Sequence, residues 1–309
     1  MLDVDFVLPY VDNTKEIWRQ NYIKFCQDNN RSDIMYRIDT ERYDDFGLLK
    51  YIFRGIDKFM PWLRKVHLIV QDETQVPDWL DKSKINVILH KDFIPQEYLP
   101  TYNSCTIEMF LWNIPDLAEH FIYANDDIYI TEMMTIEDFF GKASQPLLAL
   151  KRDSLTLPSI MFNQVCHNCW RDVRRILNYP WQNENEFIMP QHGLNPLLRS
   201  HCLECFNKLK YKIINNISPI RTYFNHNQYL FTDYALCKKE SGLSKRKFTY
   251  IRMGDDITPI KQVIESKEFQ YICLNDSGIT NRKYFHENIN KLEEAFANIG
   301  LEDKSKFEI

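Results

Sequence analysis

Short apolar segments alternate with segments of helical periodicity along the first 130 residues, and this alternation constrains the fold more than any other feature. The apolar segments predict strands at 4–11, 34–38, 66–71, 85–90 and 120–124, followed by Ile128–Ile130. The helical patterns between them cover 15–28, 45–59 and 103–113. Such alternation is typical of a mostly parallel sheet flanked by helices, so the predicted fold class is α/β and Rossmann-like.

The second half of the chain has a more helical and less regular pattern. It predicts a strand near 270–274 and helices near 135–141, 164–178, 196–210, 226–240 and 286–298. No Ser/Gly-rich linker separates the halves, so we predict one domain covering 1–309. In this domain 1–134 forms the α/β part and 135–309 a mainly helical part.

Composition excludes several classes of function. With only 8 glycines among 309 residues, a glycine-rich phosphate loop is disfavoured. The net charge of −5 gives no electrostatic footprint for nucleic acid, so no nucleic-acid partner is expected. The chain has neither a signal-peptide pattern nor an apolar run of roughly 20 residues. We therefore expect a cytoplasmic protein, with peripheral association at the inner face of the membrane as a further expectation.

Four of the eight cysteines form two CxxC pairs, Cys166/Cys169 and Cys202/Cys205. One interpretation is a zinc site. The other is that both pairs lie on the buried faces of helices, because apolar residues recur around them at helical spacing. The 32-residue gap between the pairs is longer than in zinc ribbons, and this favours core cysteines.

Asn125, Asp126 and Asp127 follow directly on the apolar run 121–124, where the carboxyl end of a strand is expected. Ligands of open α/β sheets bind beyond these strand ends. Two adjacent carboxylates repel each other and favour a cation, and Mg²⁺ or Mn²⁺ prefers such oxygen ligands and can bridge to a diphosphate. The alternative is a solvated turn, which acidic dipeptides commonly form.

Other polar residues suggest a nucleotide and its phosphates. Tyr10, Val11 and Asp12 end the first predicted strand, a natural position for a nucleotide base and ribose, although Asp-Asn also simply terminates strands. Asp45 could cap the next helix. On this helix Lys50, Arg54 and Lys58 form a basic stripe, which is either a solvated face or directed at phosphates. Histidine is the usual proton acceptor and arginine the usual phosphate ligand at neutral pH, which marks His192 and Arg221 as candidates.

At these residues the chain resembles the Stealth family of sugar-phosphate transferases, which act on bacterial capsule and wall polysaccharides and include animal N-acetylglucosamine-1-phosphotransferases. The matching segments are 3–12 (DVDFVLPYVD), the long block from 42–51 (RYDDFGLLKY) through 99–104 (LPTYNS) to 121–127 (FIYANDD), and 273–276 (CLND). His192 and Arg221 resemble a histidine and an arginine of the family. The chain departs from the family pattern at Asn13 for glycine, at Asn225 for aspartate and at Leu48 for a frequent glutamate.

The resemblance implies a GT-A-like fold and a reaction. The expected activity is transfer of a hexose-1-phosphate, specifically N-acetylhexosamine-1-phosphate, from a UDP-sugar to a hydroxyl of a glycan acceptor that is lipid-linked in some cases, with release of UMP. The expected metal is Mg²⁺ or Mn²⁺, held by Asp126, Asp127 and Asp276. The expected catalytic residues are His192 as general base, with Asp127 as the alternative, and Arg221. The expected substrate-binding residues are Tyr10, Val11, Asp12, Asp45, Lys50, Arg54, Thr101, Asn103, Ser104 and Asn125.

Two alternatives remain open from the sequence. An ordinary glycosyltransferase would have the hydroxyl attack the sugar carbon and would release UDP. A non-catalytic protein that binds a nucleotide-sugar or polysaccharide would show no metal-dependent turnover. The nucleotide product distinguishes the first alternative from the expected reaction.

Overall fold

A computed structural model of the protein describes residues 2–39, 43, 46–156, 158–253, 259–275 and 282–309. For residue 39 and residues 282–286 only the backbone is described. Within the described helices, none is both long enough and apolar enough to span a bilayer.

Strands and helices are interspersed along the described chain. The strands are β1 Val4–Pro9, β2 Lys65–Val70, β3 Asn86–Leu89, β4 His120–Tyr123, β5 Ile128–Ile130, β6 Leu147–Leu148, β7 Leu150–Ser154, β8 Glu186–Pro190, β9 Asn195–Leu198, β10 Gly242–Leu243, β11 Phe248–Arg252 and β12 Tyr271–Asn275. The α-helices are α1 Glu16–Asp28, α2 Leu49–Phe59, α3 His90–Phe93, α4 Ser104–Glu108, α5 Met161–Ile176, α6 Arg199–Asn215, α7 Tyr229–Lys238, α8 Ile260–Glu265 and α9 Arg282–Asn298.

The largest sheet has five strands in the order β3-β2-β1-β4-β9. Strand β1 runs parallel to β4, with Val4 opposite His120 and Val7 opposite Tyr123. Strand β9 is antiparallel to β4. A smaller sheet has the order β11-β12-β5, and two further sheets pair β7 with β8 and β10 with β6. This mixed α/β architecture confirms the predicted fold class and is consistent with a GT-A-like fold.

The chain divides into two compact units, and the first comprises Met1–Val7, Ile88–Tyr123 and Ile136–Lys245. Its helical core contains α5, α6 and α7, and all four CxxC cysteines are buried in it as free thiols. Burial raises the pKa of each of these thiols well above its ordinary value. Within the described residues, no CxxC cysteine has two further metal-binding side chains close enough to share an ion. The interpretation as core cysteines is therefore favoured over zinc.

Asp233 on α7 is an unusual member of this core. Its side chain is completely buried. Among the described residues, neither of its carboxylate oxygens has a hydrogen-bond partner. Burial raises the pKa of Asp233 well above its usual range, because a charged carboxylate loses its hydration there. The side chain is therefore more easily accommodated as the neutral acid.

The second unit comprises Leu8–Val87, Ala124–Thr135 and Arg246–Ile309. Helix α2 buries Ile52, Ile56 and Phe59, which recur at helical spacing on one face. At Gly55 on this helix an added Cβ would lie 2.9 Å from the carbonyl oxygen of Ile130 on β5. The close approach of α2 to β5 therefore requires glycine at this position.

Several predicted elements differ from the structure. The segment 34–38 was predicted as a strand, but Ser32–Asp39 forms a 3-10 helix that buries Ile34 and Ile38, four residues apart. The predicted helix 135–141 reduces to a 3-10 turn at Ile136–Asp138. Six strands, β6–β11, lie in the part predicted as mainly helical. The strands β1 to β5 and β12 confirm the remaining strand predictions, with ends that shift by one or two residues.

Candidate active site

The acidic sequence at residues 125–127 forms a turn in the second unit. The backbone N–H of Ile128 donates to the carbonyl of Asn125 at 3.3 Å, so Asp126 and Asp127 occupy the two central positions of this turn. All three residues from Asn125 to Asp127 are half-buried. The backbone thus forms the turn of the alternative interpretation, but the acids are not fully solvated, and the metal site stays a prediction.

Strand β12 fixes Asp127 from one side. The N–H of Leu274 donates to the carbonyl of Asp127 at 2.8 Å. The amide of Asn275 and the thiol of Cys273 approach the carboxylate Oδ2 of Asp127 at 3.5 and 3.4 Å. The carboxylates of Asp126 and Asp127 are ligands of the kind that Mg²⁺ or Mn²⁺ prefers, whereas the amide nitrogen of Asn275 and the thiol of Cys273 are not.

The end of β1 is held by a residue that the sequence analysis missed. The side chain of Gln75 is completely buried and bonds both sides of the Asp12 backbone. Its Oε1 accepts from the Asp12 N–H at 2.7 Å, and its Nε2 donates to the Asp12 carbonyl at 3.1 Å. The carboxylate Oδ1 of Asp12 accepts from the N–H and hydroxyl of Thr14 at 2.8 and 2.6 Å. Gln75 thus extends the ordered backbone of β1 through the segment predicted to bind the nucleotide.

Tyr10 and Asn13 flank this segment as buried anchors. Tyr10 donates its N–H to the carbonyl of Ile69 at 2.9 Å, which continues the strand pairing. The side-chain amide of Asn13 donates to the carbonyl of Ile38 at 2.9 Å, and the Asn13 N–H donates to the carbonyl of Tyr43 at 2.8 Å. The departure from the family glycine at this position therefore supplies an additional hydrogen bond to a neighbouring loop.

Arg54, which was expected to bind phosphate, is held in an almost buried ion pair. Its Nε and Nη2 each donate to the Glu308 carboxylate at 2.8 Å, and the two side chains are only 11% and 6% exposed. Its Nη1 donates to the carbonyls of Leu301 and Glu302 at 2.9 and 3.0 Å. Because all three guanidinium nitrogens bind the C-terminal segment, the structure supports a structural role for Arg54.

The other two residues of the basic stripe also face the C-terminal part of the chain. Lys58 donates to the carbonyl of Gly300 at 3.0 Å. Lys50 makes a longer contact of 3.4 Å with Glu293, in which both side chains are more than a third exposed. An exposed ion pair at this distance contributes little to stability. Of the three cations, Lys50 is therefore the one that could leave its partner and bind phosphate at the lowest cost.

In the first unit, the predicted sugar-binding residues surround the start of α4. Asn103 caps this helix, because its Oδ1 accepts from the N–H of Cys105 at 3.1 Å. Its Nδ2 donates to the Ser218 carbonyl at 2.9 Å. Thr101 and Asn103 are completely or almost completely buried, whereas Ser104 is half-buried. Thr101 and Asn103 thus support the local backbone, and Ser104 is the member of this group that remains partly accessible.

Arg221 lies in the loop 216–228 before α7 and is half-buried. Its Nη2 donates to the hydroxyl of Ser104. The structure therefore brings together Ser104 and Arg221, which the sequence analysis had placed in separate blocks. Exposed aromatic side chains lie two and three residues further along the chain, at Tyr223 and Phe224.

Asn225 is the central anchor of this loop. Its Oδ1 accepts from the N–H of Thr222 at 2.7 Å and from Nδ2 of Asn103 at 3.1 Å. Its Nδ2 donates to the carbonyl of Asn216 and to the hydroxyl of Ser218, the latter at 3.0 Å. An aspartate could not donate to a carbonyl, so the asparagine at this position is matched to its surroundings.

Glu108 is a buried acid beside this loop, and the sequence analysis assigned it no role. Its Oε2 accepts from the N–H of Gln228 at 2.7 Å, and its Oε1 accepts from the hydroxyl of Tyr123 at 3.1 Å. Burial raises the pKa of Glu108, whereas the Gln228 N–H and the charge of Arg221 act in the opposite direction. The available signal was a single charged residue between Ile107 and the apolar residues 109–111, but the burial of Glu108 depends on tertiary packing.

His192 lies on the connection between β8 and β9 and is half-buried. The preceding Gln191 is fixed by two hydrogen bonds, from its N–H to the Ala149 carbonyl at 2.8 Å and from its side chain to the Leu150 carbonyl at 3.2 Å. The backbone that carries His192 is therefore well anchored. Of the remaining predicted residues, Val11 is half-buried, and Asp45 and Asp276 lie outside the described residues.

Comparison with other proteins gives a family match and several relatives. The family model for Stealth protein CR2, conserved region 2, matches residues 42–148. A capsular polysaccharide phosphotransferase of Neisseria meningitidis serogroup B is 29% identical over 300 residues, covering 90% of this chain and 78% of that protein. A receptor polysaccharide phosphotransferase of Streptococcus oralis is 27% identical over 345 residues, covering 100% of each.

A third relative is matched over less of its length. An exopolysaccharide phosphotransferase of Lactiplantibacillus plantarum is 34% identical over 221 residues, and the match covers 70% of this chain but 57% of that protein. The matched region 42–148 contains both the acidic turn and the start of α4.

Proposed function

Because this chain belongs to the Stealth family, we propose that it transfers a hexose-1-phosphate from a UDP-sugar to a hydroxyl of a glycan acceptor in polysaccharide synthesis. N-acetylhexosamine is the sugar that we assign to the donor. The observation that carries the proposal is the pair of adjacent, half-buried carboxylates Asp126 and Asp127, on a turn within the matched family region.

The reaction forms one phosphodiester bond and breaks one phosphoanhydride bond. The acceptor hydroxyl oxygen attacks the phosphorus nearest the sugar, its proton passes to His192, and the bond to UMP breaks. Since charge dominates the barrier of phosphoryl transfer, positioning and electrostatic stabilisation supply most of the catalysis. Arg221 and Lys50 bind phosphate oxygens in this scheme.

Asp126 and Asp127 would hold a Mg²⁺ or Mn²⁺ ion, which when bound neutralises negative charge on the diphosphate. Asp276 is a further candidate ligand from the sequence. Tyr10, Val11 and Asp12 would line the nucleotide pocket, on the backbone that Gln75 holds. We omit Arg54, Thr101 and Asn103 from direct substrate contact, because their polar atoms bind other parts of the protein.

The test is turnover of UDP-N-acetylglucosamine with excess Mg²⁺ and an oligosaccharide acceptor, followed by analysis of the released nucleotide. The proposal expects UMP as the released nucleotide. It expects Asp127→Asn to lower kcat by at least about a hundredfold, the loss that follows when one preorganised electrostatic contribution to the transition state is removed. Asp138→Asn is the matched control at an acid outside the proposed site. Release of UDP, or near wild-type turnover by Asp127→Asn, would contradict it.

A further inference from the structure

Residues 222–225 form a β-turn with an unusual composition. The N–H of Asn225 donates to the carbonyl of Thr222 at 3.4 Å, so Tyr223 and Phe224 occupy the two central positions of the turn. Small or polar residues such as glycine, asparagine, aspartate and serine normally fill these positions. Both aromatic side chains are also exposed, Tyr223 at 48% and Phe224 at 71%. Neither turn formation nor burial in the core therefore accounts for two adjacent aromatic rings here.

Buried side-chain amides fix the backbone of this turn. Asn168 on α5 is only 4% exposed, and its Nδ2 donates to the carbonyl of Tyr223 at 2.8 Å and to that of Asn225 at 3.3 Å. The Oδ1 of Asn225 accepts from the N–H of Thr222 at 2.7 Å. The hydroxyl of Thr222 accepts from the N–H of Phe224 at 3.3 Å. All four residues of the turn are thus held by hydrogen bonds, and an ordered surface of this kind loses little conformational entropy when it binds a partner.

The turn lies close to Arg221, which binds phosphate oxygens of the donor in the proposed reaction. Phe224 is three residues beyond Arg221, so their Cα atoms lie at most about 11 Å apart, the length of three fully extended residues. The acceptor hydroxyl attacks the same diphosphate. The sugar that carries this hydroxyl must therefore approach the region around Arg221, where the turn lies.

A sugar ring has the chemistry that suits this turn. One face of a pyranose ring carries C–H groups, which pack against the electron-rich face of an aromatic ring while the sugar hydroxyls stay in water. The Tyr223 hydroxyl can in addition donate to or accept from a sugar hydroxyl. Stable binding to a lipid surface instead takes the apolar face of a helix or a cluster of cations, whereas the turn offers two aromatic side chains.

We propose that Tyr223 and Phe224 form a binding surface for a sugar unit of the glycan acceptor, beside the phosphate ligand Arg221. This inference rests on the proposed function, which supplies the acceptor and assigns Arg221 to the phosphates. The two aromatic rings bind and orient the acceptor. They take no part in proton transfer or in binding the donor.

The first experiment measures oligosaccharide binding without the donor. Wild-type protein is applied to an array of oligosaccharides from capsular polysaccharides and exopolysaccharides, the glycan classes in the names of the relatives. The affinity for the compound bound best is then measured by titration calorimetry. Phe224→Ser and Tyr223→Ser are each expected to weaken this affinity about three- to tenfold, the range for one aromatic contact. Absence of binding by the wild type, or unchanged affinity in both variants, would overturn the inference.

The second experiment separates stacking on a ring from general apolar contact. Phe224→Tyr keeps the ring and is expected to retain the affinity, whereas Phe224→Leu keeps apolar surface without a flat face and is expected to weaken binding as Phe224→Ser does. Tyr36→Ser is the matched control, because Tyr36 is an aromatic residue of the second unit that is 65% exposed. Wild-type affinity in Phe224→Leu, or an equal loss in Tyr36→Ser, would contradict the inference.

Turnover measurements distinguish a failure of this inference from a failure of the proposed function. Tyr223→Ser/Phe224→Ser is expected to raise the KM for the acceptor at least about tenfold and to leave the KM for the UDP-sugar within about twofold. If oligosaccharide binding depends on the turn but the donor releases UDP, then the proposed reaction fails and the acceptor surface remains. If UMP is released and the KM for the acceptor is unchanged in the double variant, then the acceptor surface fails and the proposed reaction remains.

The same double variant tests two other partners for the turn. Wild-type and variant protein are compared by co-sedimentation with phosphatidylglycerol vesicles and by analytical ultracentrifugation. Vesicle binding or a dimer that is lost in the variant, together with unchanged oligosaccharide affinity, would assign the turn to a membrane surface or to a second copy of the chain. Either result would overturn the inference.

Discussion

Breaking the ion pair between Arg54 and Glu308 tests whether Arg54 has a structural role or binds phosphate. Arg54→Met removes the cation and its donors to Glu308, Leu301 and Glu302, while keeping an extended side chain. Glu308, which is only 6% exposed in the wild type, then loses its cation. Removing one partner of a buried pair costs about 3–5 kcal/mol.

The surroundings of Glu308 set the expected cost near the lower end of this range. The N–H and hydroxyl of Ser305 still donate to Glu308 Oε1 at 2.9 and 3.1 Å. We therefore expect Arg54→Met to lower the free energy of unfolding by about 3 kcal/mol. Replacing both partners, in Arg54→Met/Glu308→Leu, is expected to recover most of this loss, because no charge is then left buried.

The assay is equilibrium denaturation in urea, combined with donor kinetics on the folded enzyme. Lys24→Met is the control, because its pair with Asp28 is exposed at 73% and 57% and contributes at most about 1 kcal/mol. The KM for the donor is expected to stay within about twofold in the double variant. If Arg54→Met leaves stability unchanged and raises KM at least about tenfold, then Arg54 is a phosphate ligand and the structural role is refuted.

Three further predictions concern single buried side chains. Asn225→Asp is expected to lower the free energy of unfolding by about 1–3 kcal/mol in urea denaturation, because a carboxylate would face the carbonyl of Asn216; an unchanged midpoint and slope would contradict this. Gln75→Leu is expected to weaken UDP binding in calorimetry, since the Asp12 backbone loses both hydrogen bonds; unchanged affinity would show that Gln75 does not support the pocket. Burial raises the pKa of Asp233 in the folded protein. The neutral form therefore maintains stability at low pH. This stability is lost as the pH rises from the pKa of the unfolded chain, about 4, toward the pKa of the folded protein. Asp233→Asn is expected to remove this decline, of up to about 1.4 kcal/mol per pH unit, and an identical pH profile would refute the assignment.

The sequence was most informative where local pattern and burial agree. The strands β1, β2, β4 and β12 consist mostly of apolar, buried residues, and this composition identifies them as strands of a covered sheet. The segment 34–38 was misassigned because its apolar residues satisfy either a strand or one helical turn, and packing of Ile34 and Ile38 decided the outcome. Strand β7 was missed because its residues, including Lys151 and Arg152, are mostly polar and exposed.

In the candidate site, too, features set by neighbouring residues could be predicted from the sequence, whereas features set by tertiary contacts could not. The acidic turn at Asp126 and Asp127 follows from a strand end and two adjacent carboxylates. Gln75 and Glu108 could not be found in this way, because each acts on a segment more than 60 residues away along the chain. For Arg54 the helix was predicted correctly, and so was the alignment of Arg54 with Lys50 and Lys58 on one face. The helical spacing could not reveal that Arg54 forms an ion pair with Glu308.

The fate of the phosphate nearest the sugar tests the central claim most directly. We would incubate the enzyme with acceptor and a UDP-sugar that carries ³²P in that phosphate, and then separate polymer from nucleotide. Sugar-phosphate transfer predicts that the label appears in the polymer as a phosphodiester and that the released nucleotide is unlabelled UMP. Label retained in UDP, with unlabelled sugar added to the polymer, would contradict the account.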